Sequence, residues 1–397
     1  MNLKLGTTPI HTPLTLDKEA LRTHAVVLGT TGSGKTGMLV GLAEELATNQ
    51  IPTILVDIKG DLANIALQAD PAIADKLAVR YLTPGGSAGQ GINAFSNLND
   101  PEKIHQTVTN LLKMINVESD PVKSSMHSFL SLILKCNARC RKFGLVDLIE
   151  EIQDPPFNLM GAMRLDDVVS KRARKDVAAK LNNLLVSPSF SAWRKGISLS
   201  LSSLLRKRAD SRTPVTVYSV AHLVDDRERT FAISMFLEEL LSWTRGLEGT
   251  DDLRAAVIID ECYGLMPPSP ANPATKKPIL TMLKQARAFG VGMILATQNP
   301  MDVDYKGMSN CETWIVGRLQ TANDRRRVVE AVTSLGYDRK EIETKVGSLQ
   351  KRQFLLARPK GVTTFNSRTV SADLVGPLTD SQVSKMYEAG FLVRDKC

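Results

Sequence analysis

One short segment of this 397-residue chain constrains its fold more than any other. It reads Gly29-Thr30-Thr31-Gly32-Ser33-Gly34-Lys35-Thr36 and matches the pattern G-x-x-x-x-G-K-[ST]. An apolar run over residues 24–28 leads into it, and a run with helical spacing of apolar residues over 39–46 leads out. A glycine-rich turn between a buried strand and a helix is typical of a phosphate-binding loop. The order strand, turn, helix therefore predicts one βα unit of a nucleotide-binding fold.

The residue types in this loop fit a nucleoside triphosphate. Glycines let the backbone curl so that successive amide groups point at phosphate oxygens. We expect Lys35 to reach the β- and γ-phosphates and the Thr36 hydroxyl to hold Mg²⁺. The residues predicted to bind the nucleotide are Gly29, Thr30, Thr31, Gly32, Ser33, Gly34, Lys35 and Thr36. The alternative interpretation is a glycine-rich turn that only caps a helix.

Two adjacent carboxylates follow a second apolar run, residues 255–259. At the end of a buried strand, Asp260 is placed to bind the Mg²⁺ shell and Glu261 to polarise an attacking water. Alternatively, the two acids only meet solvent at a strand end. Such a pair favours a water-activating P-loop ATPase over a small GTPase. The guanine-reading pattern Asn-Lys-x-Asp is absent from the sequence, so ATP is the predicted nucleotide.

A polar residue at the tip of a neighbouring parallel strand can reach the γ-phosphate or the water. Residues 291–296 read as such a strand, and Gln298 is the predicted sensor beyond it, with Thr297 second. A turn or helix-capping role is the alternative for both. Asp57 ends another apolar run, residues 53–58, and faces the same crevice. It is predicted either to orient water or metal, or to cap its loop.

The order of elements predicts an α/β fold with a mostly parallel sheet, because strands alternate with helices along much of the chain. Further strands are predicted over residues 79–82, 214–220 and 313–316, with helices at 227–243 and 276–289. A hairpin over 352–358 and 363–370 and a closing helix over 380–388 complete the chain. Residues 1–84 and 213–378 are predicted to form the ATPase core, and 379–397 a C-terminal helix and tail.

Residues 85–212 are predicted to form a helical insertion in that core. Helical periodicity runs over residues 104–115, 122–136 and 166–186, and prolines at 101, 121, 155 and 156 separate these stretches. The insertion carries three basic runs, at residues 139–142, 171–175 and 206–208.

The bulk properties limit the class of protein. A net charge of +8 suits a polyanionic partner, although a moderate excess of Lys and Arg is often only a solvated surface. The N-terminal ten residues lack an apolar signal-peptide core, and the longest apolar runs are too short to span a bilayer. Five cysteines without a C-x-x-C pair predict reduced, structural thiols. We therefore expect a cytoplasmic protein without a membrane partner.

Together, these motifs resemble those of the HerA/FtsK-type P-loop ATPases, and most closely HerA-like bacterial ATP-binding proteins. Beyond the P-loop and Ile259-Asp260-Glu261, the likeness rests on Val56-Asp57-Ile58-Lys59-Gly60-Asp61-Leu62 and on residues 277–320. Gly376-Pro377-Leu378-Thr379 extends it nearly to the C-terminus. The resemblance implies a RecA-like core that hydrolyses ATP with Mg²⁺, forms a homohexameric ring and translocates or unwinds DNA.

In the same family, a neighbouring subunit supplies an arginine to the γ-phosphate, which can be worth 10³–10⁵ in turnover. The resemblance implies Arg287, Arg318 or Arg368 for this catalytic role, with Arg325, Arg326 and Arg327 less favoured. Channel loops in the family grip the DNA backbone without reading sequence. By position, Lys276, Lys277 and Lys306 are the predicted DNA contacts, with a solvated loop as the alternative.

The chain departs from the family in one respect: we expect only about 23 residues before the first strand, where HerA proteins carry a β-barrel. Two functions therefore stay open at this point. One is a DNA translocase or helicase acting as a homohexamer. The other is a nucleotide-gated assembly factor that switches a partner such as a nuclease. A small-molecule kinase is disfavoured by the acid pair Asp260-Glu261 and by Gln298.

Overall fold

The computed structural model describes residues 2–86, 88–93, 100–138, 140, 143–186, 193 and 196–394. Arg139, Arg141 and Lys142 of the first basic run, and Cys397, lie outside the described residues. The strands are β1 Asn2–Thr7, β2 Pro13–Asp17, β3 Ala25–Leu28, β4 Thr53–Asp57, β5 Leu77–Leu82, β6 Leu159–Met160, β7 Met163–Arg164, β8 Thr213–Ser219, β9 Ala255–Ile259, β10 Val291–Thr297, β11 Thr313–Val316, β12 Gln353–Arg358 and β13 Gly361–Ser367.

The described helices alternate with these strands. They are α1 Lys35–Thr48, α2 Pro71–Ala74, α3 Pro101–Met114, α4 Ser125–Cys136, α5 Leu145–Gln153, α6 Leu165–Val168, α7 Lys171–Val186, α8 Leu201–Leu204, α9 Asp226–Arg245, α10 Lys276–Gln285, α11 Tyr305–Met308, α12 Ala322–Thr333, α13 Arg339–Ser348 and α14 Asp380–Glu388. Short 3-10 helices lie at Leu62–Ala66 and Ala286–Phe289.

Eleven of the described strands form one sheet in the order β2-β1-β13-β12-β11-β3-β10-β9-β4-β8-β5. The seven strands from β11 to β5 are parallel, and β12, β13, β1 and β2 add antiparallel pairs at one side. Every residue of β3, β4, β9 and β10 is buried, which explains why these strands read as continuous apolar runs. The predicted α/β class with a mostly parallel sheet is confirmed.

The described chain packs as two compact units. The core unit comprises residues up to Leu82, Leu201–His222 and Leu241–Arg394, and it contains the whole eleven-stranded sheet. The helical unit comprises Thr83–Ser200 and Leu223–Leu240, and it contains α3 to α7 and the β6–β7 hairpin. The domain bounds given from the sequence, with an insertion over residues 85–212, stay a prediction.

Two predicted elements differ from the structure. The first strand does not begin at residue 24, because β1 and β2 already pair as an antiparallel hairpin. The predicted helix over residues 166–186 is two helices, α6 and α7. Val169 between them is extended, and the Ser170 hydroxyl accepts a hydrogen bond from the backbone of Ala173, which starts a new helix. Among the described residues, none of the helices has the length and apolar character needed to cross a membrane.

Candidate nucleotide site

The glycine-rich loop lies at the carboxyl edge of the sheet, between β3 and α1. Gly34 has a φ of 101°, a left-handed conformation that glycine adopts without strain, and it stands immediately before α1. A Cβ at Gly29 would lie 2.4 Å from the Ser33 hydroxyl, so a larger residue there would force the Ser33 side chain to move. The Thr30 amide and hydroxyl both donate to the carbonyl of Arg318, at 3.0 and 3.1 Å. These contacts fix the loop against the residues that follow β11.

Lys35 extends from the first residue of α1 to the tip of β9. Its buried ammonium donates to Asp260 Oδ1 at 2.9 Å and to Glu261 Oε2 at 3.3 Å. Burial opposes the charge, but the two carboxylates outweigh it and raise the pKa of Lys35 above its ordinary value. Lys35, the predicted phosphate-binding residue, therefore contacts both the predicted metal ligand Asp260 and the predicted base Glu261.

Glu261 is held by several donors. Its backbone is left-handed, with a φ of 60°. Its Oε2 accepts from Lys59 Nζ at 2.7 Å and from Gln298 Nε2 at 2.9 Å, and its Oε1 from Thr297 Oγ1 at 3.4 Å. Partial burial disfavours the charge, but Lys35 and Lys59 outweigh it and hold the pKa of Glu261 at about 2. Glu261 is therefore an ionised carboxylate whose direction is fixed by its donors.

Gln298 connects the glycine-rich loop with Glu261. Its side-chain oxygen accepts from the Thr31 hydroxyl at 2.7 Å while its amide nitrogen donates to Glu261. This arrangement follows from sheet order, because β10 lies between β3 and β9. The residue chosen as sensor from the sequence thus contacts both parts of the site, and its catalytic role stays a prediction.

Asp57 belongs to the loop rather than to the crevice. Its fully buried carboxylate accepts from the backbone amides of Gly60, Leu62 and Ala63, at 2.7, 3.1 and 3.2 Å. Burial raises the pKa of Asp57 to about 7. Of the two roles open from the sequence, the structure supports the loop cap, and the capped loop is the one that presents Lys59 to Glu261.

Lys59 and Arg352 contact the site but were not predicted from the sequence to do so. Lys59 was recognised only as part of the family motif, without a role. The amide of Arg352, a residue with a φ of 64°, donates to Ser33 O at 2.8 Å and supports the glycine-rich loop from β12. Arg352 lies outside the motifs, and the motif that contains Lys59 does not identify its partner, since the proximity of both residues to the site depends on the order of strands in the sheet.

The three candidate arginines have different surroundings. Arg368 Nη2 donates to the fully buried Glu44 at 2.6 Å and to the Gly41 carbonyl at 2.8 Å. Arg318 is exposed and lies beside the glycine-rich loop of its own chain. Arg287 precedes β10, at the opposite edge of the sheet from Lys35, and its nearest carboxylate is Glu312 at 3.5 Å. Their role in a neighbouring subunit stays a prediction.

The predicted DNA-contacting lysines are not equivalent. Lys276 is buried and donates to Asp304 at 2.8 Å, which does not favour the predicted contact with the DNA backbone. Lys277 and Lys306 are exposed. The sequence missed the pairing because Asp304 lies in a different loop, 28 positions further along the chain.

Asp260 and Thr36 fit a magnesium ion. Asp260 Oδ2 is buried and has no hydrogen-bond partner within the described part of the chain, and Thr36 follows in the first turn of α1. Mg²⁺ prefers oxygen ligands and is commonly held by one or two protein oxygens together with substrate phosphates. No cluster of three or more His, Cys, Asp or Glu suited to a metal occurs among the described residues. Oxygens of a bound nucleotide and of water would complete the ligands of a metal held here.

Comparison with known proteins agrees with this geometry. A family model described as the helicase HerA-like C-terminal region matches residues 2–87. The DNA double-strand break repair helicase HerA of Sulfolobus acidocaldarius is 22% identical over 329 residues, which cover 80% of this chain and 59% of that protein. The chain covers between 40% and 59% of the length of the curated relatives it matches.

Two solved structures share the fold. VirB4 of Thermoanaerobacter pseudethanolicus superposes with a TM-score of 0.65 at 12% identity, covering 93% of this chain and 96% of that one. The plasmid coupling protein TrwB in complex with ADP and Mg²⁺ has a TM-score of 0.58 at 13% identity, covering 94% and 91%. The RecA-like P-loop fold and the predicted resemblance to HerA/FtsK-type ATPases are confirmed.

Proposed function

We propose that this chain is a cytoplasmic ATPase that converts ATP hydrolysis into movement along DNA, or unwinding of DNA, as a homohexameric ring. The observation that carries the proposal is the contact of Lys35 with Asp260 and Glu261 beneath a glycine-rich loop. This set of groups suits phosphoryl transfer to water, in which the protein contributes mainly positioning and charge stabilisation. The relative named as the DNA double-strand break repair helicase HerA supports the same function.

Without a nucleotide, the Lys35 ammonium balances the negative charges of Asp260 and Glu261. We infer that it moves to the phosphate oxygens of ATP when the triphosphate enters, because phosphate offers a stronger anionic partner within the same loop. Asp260 and Thr36 would then hold Mg²⁺, which neutralises developing charge on phosphate oxygens. The unpaired Oδ2 of Asp260 gives the metal a ready acceptor.

Glu261 then serves as the base that takes the proton from the attacking water. Its carboxylate stays oriented by Lys59 and Gln298 after Lys35 has left. Gln298 is placed to orient the same water, since it contacts both Thr31 and Glu261. A general base of this kind contributes roughly 10²–10⁴ to a rate.

Arg287 is the arginine best suited to act on a neighbouring subunit. A residue that acts in trans must be exposed and remote from its own glycine-rich loop, and Arg287 meets both conditions. Arg368 is committed to the buried carboxylate of Glu44. The exposed Lys277 and Lys306 are proposed to contact DNA phosphates, giving salt-dependent binding without sequence preference.

The test is ATP hydrolysis with and without double-stranded DNA, combined with electron microscopy of the protein with ATPγS and DNA. The proposal expects DNA-stimulated hydrolysis and a six-membered ring. Hydrolysis that is indifferent to any nucleic acid, with turnover that appears only when a nuclease or other partner is added, would support the nucleotide-gated assembly factor instead.

A further inference from the structure

A chain segment after β13, residues 368–377, crosses the outer side of α1; we name it the strap. Before its midpoint, the buried Glu44 of α1 accepts from the amides of Ser371 and Ala372, at 3.0 and 2.9 Å. After its midpoint, Asn64 Nδ2 donates to the carbonyl of Gly376 at 3.0 Å. The strap is therefore fixed to the core unit on both sides of residues 374 and 375.

Two apolar side chains of this fixed segment face solvent. Leu374 is 45% exposed and Val375 is 59% exposed. Leu374 also contacts the start of α1, since a Cβ at Gly37 would lie 3.8 Å from Leu374 Cδ1. Exposed apolar surface is unfavourable in water, so its burial against a ligand is favourable. A rigid segment that holds two such side chains beside the glycine-rich loop is suited to an apolar part of a ligand.

The catalytic groups determine which way round a triphosphate must lie. Thr31, at the start of the loop, contacts Gln298, which contacts the base Glu261. The γ-phosphate must face this end, because the water that attacks it is oriented there. The α-phosphate then lies toward the other end of the loop, at Thr36 and Gly37, and the nucleoside leaves the loop beside Leu374.

We propose that Leu374 and Val375 form the base subsite, on which the purine ring of ATP packs. The inference rests on the proposed function, since it takes the hydrolytic end of the site as given. An apolar platform contacts the ring faces without reading hydrogen-bonding groups. The subsite therefore contributes affinity for the nucleoside and leaves the phosphates to the glycine-rich loop.

Calorimetry with two ligands, MgATP and magnesium tripolyphosphate, tests the subsite on the full chain. Tripolyphosphate keeps the phosphates and lacks the nucleoside. For the double variant Leu374→Ser/Val375→Ser, we expect ATP affinity to fall about tenfold, the effect of losing about one buried aliphatic contact. The affinity of the double variant for tripolyphosphate should stay within about twofold of the wild-type value. Because both side chains are about half exposed and lie at the surface, the melting temperature should change little.

Ile10→Ser is the matched control, because Ile10 is an 80% exposed aliphatic residue in the turn between β1 and β2. It should alter neither affinity. An unchanged ATP affinity in the double variant, or an equal loss for both ligands, overturns the subsite. If the wild type binds tripolyphosphate as tightly as ATP, the subsite fails while the phosphate site stands. If it binds neither ligand, the proposed function itself fails.

Discussion

The ammonium of Lys59 lies 2.7 Å from the carboxylate of Glu261, on a loop that the buried Asp57 caps. Glu261 also contacts Lys35, but a bound triphosphate draws Lys35 away in the proposed mechanism. Lys59 is then the remaining cation in contact with the base among the described residues. In the proposed mechanism, Lys59 keeps this carboxylate directed at the water.

Lys59→Met is accordingly expected to lower kcat about tenfold, since a charge-assisted hydrogen bond at a partly exposed site is lost. ATP affinity should change by less than about twofold, because Lys59 does not contact the glycine-rich loop. Steady-state hydrolysis and calorimetry measure the two quantities separately. Lys59→Arg keeps the charge and should recover part of kcat. If Lys59→Met instead raises kcat, the contact of Lys59 with Glu261 inhibits hydrolysis.

The exposed Arg287 and the ion-paired Arg368 should respond differently to alanine. Arg368→Ala leaves Glu44 charged and buried without its guanidinium, so the free energy of unfolding should fall by about 3 kcal/mol. Arg287→Ala should change the free energy of unfolding by less than about 0.5 kcal/mol. It should nevertheless lower ATP turnover by about 10³ if the arginine acts in trans. Urea unfolding and steady-state hydrolysis separate the two effects.

Arg339 supplies the control for Arg287. The two side chains are 55% and 56% exposed, and each has one carboxylate partner. Arg339→Ala should leave both the stability and the turnover near wild type. Normal turnover in Arg287→Ala would exclude Arg287 as the arginine that acts on the γ-phosphate of a neighbouring subunit.

His24 should make the stability depend on pH. The residue is buried before β3, where its Nδ1 accepts from the Met293 amide at 3.1 Å, and burial lowers its pKa to about 4. The unfolded chain binds a proton near pH 6.5, whereas the folded chain resists protonation until about pH 4. The contribution of His24 to the free energy of unfolding should therefore fall by about 3 kcal/mol as the pH drops from 6.5 to 4.

His24→Asn isolates this effect. Asparagine keeps an acceptor, does not titrate, and tolerates the left-handed backbone at this position, where φ is 63°. Asp57, whose pKa is raised, acts in the opposite sense, because its contribution decreases as the pH rises from about 4 to about 7. The difference in unfolding free energy between wild type and His24→Asn should shrink toward pH 4. A difference that is constant over this range would contradict the assignment.

The sequence predicts the central part of this molecule because its signals are local. The glycine-rich loop, the strand before Asp260 and the closing helix α14 each carry their pattern within a few residues. Sheet order then brings Lys35, Glu261 and Gln298 together, and the motifs predicted the edge of the sheet at which they lie.

Contacts that depend on tertiary packing were beyond prediction. Arg352 approaches the site from outside the motifs, and the motif that contains Lys59 does not show that its ammonium reaches Glu261. The pairing of Lys276 with Asp304 becomes visible only once both segments are placed. The β1–β2 hairpin was missed because its strands lack the continuous apolar runs that mark the central strands. Leu3 and Leu5 alternate with polar residues in β1, but two positions are a weak signal.

The most direct test of the account is ATP hydrolysis by the purified chain and by Lys35→Ala and Glu261→Gln, each with Mg²⁺ and double-stranded DNA. Wild type should release phosphate, and Lys35→Ala should neither bind nor hydrolyse ATP. Glu261→Gln should bind ATP normally but turn it over about 10²–10⁴ times more slowly. Equal phosphate release by all three proteins, or none by wild type with DNA present, would contradict the assignment of this site.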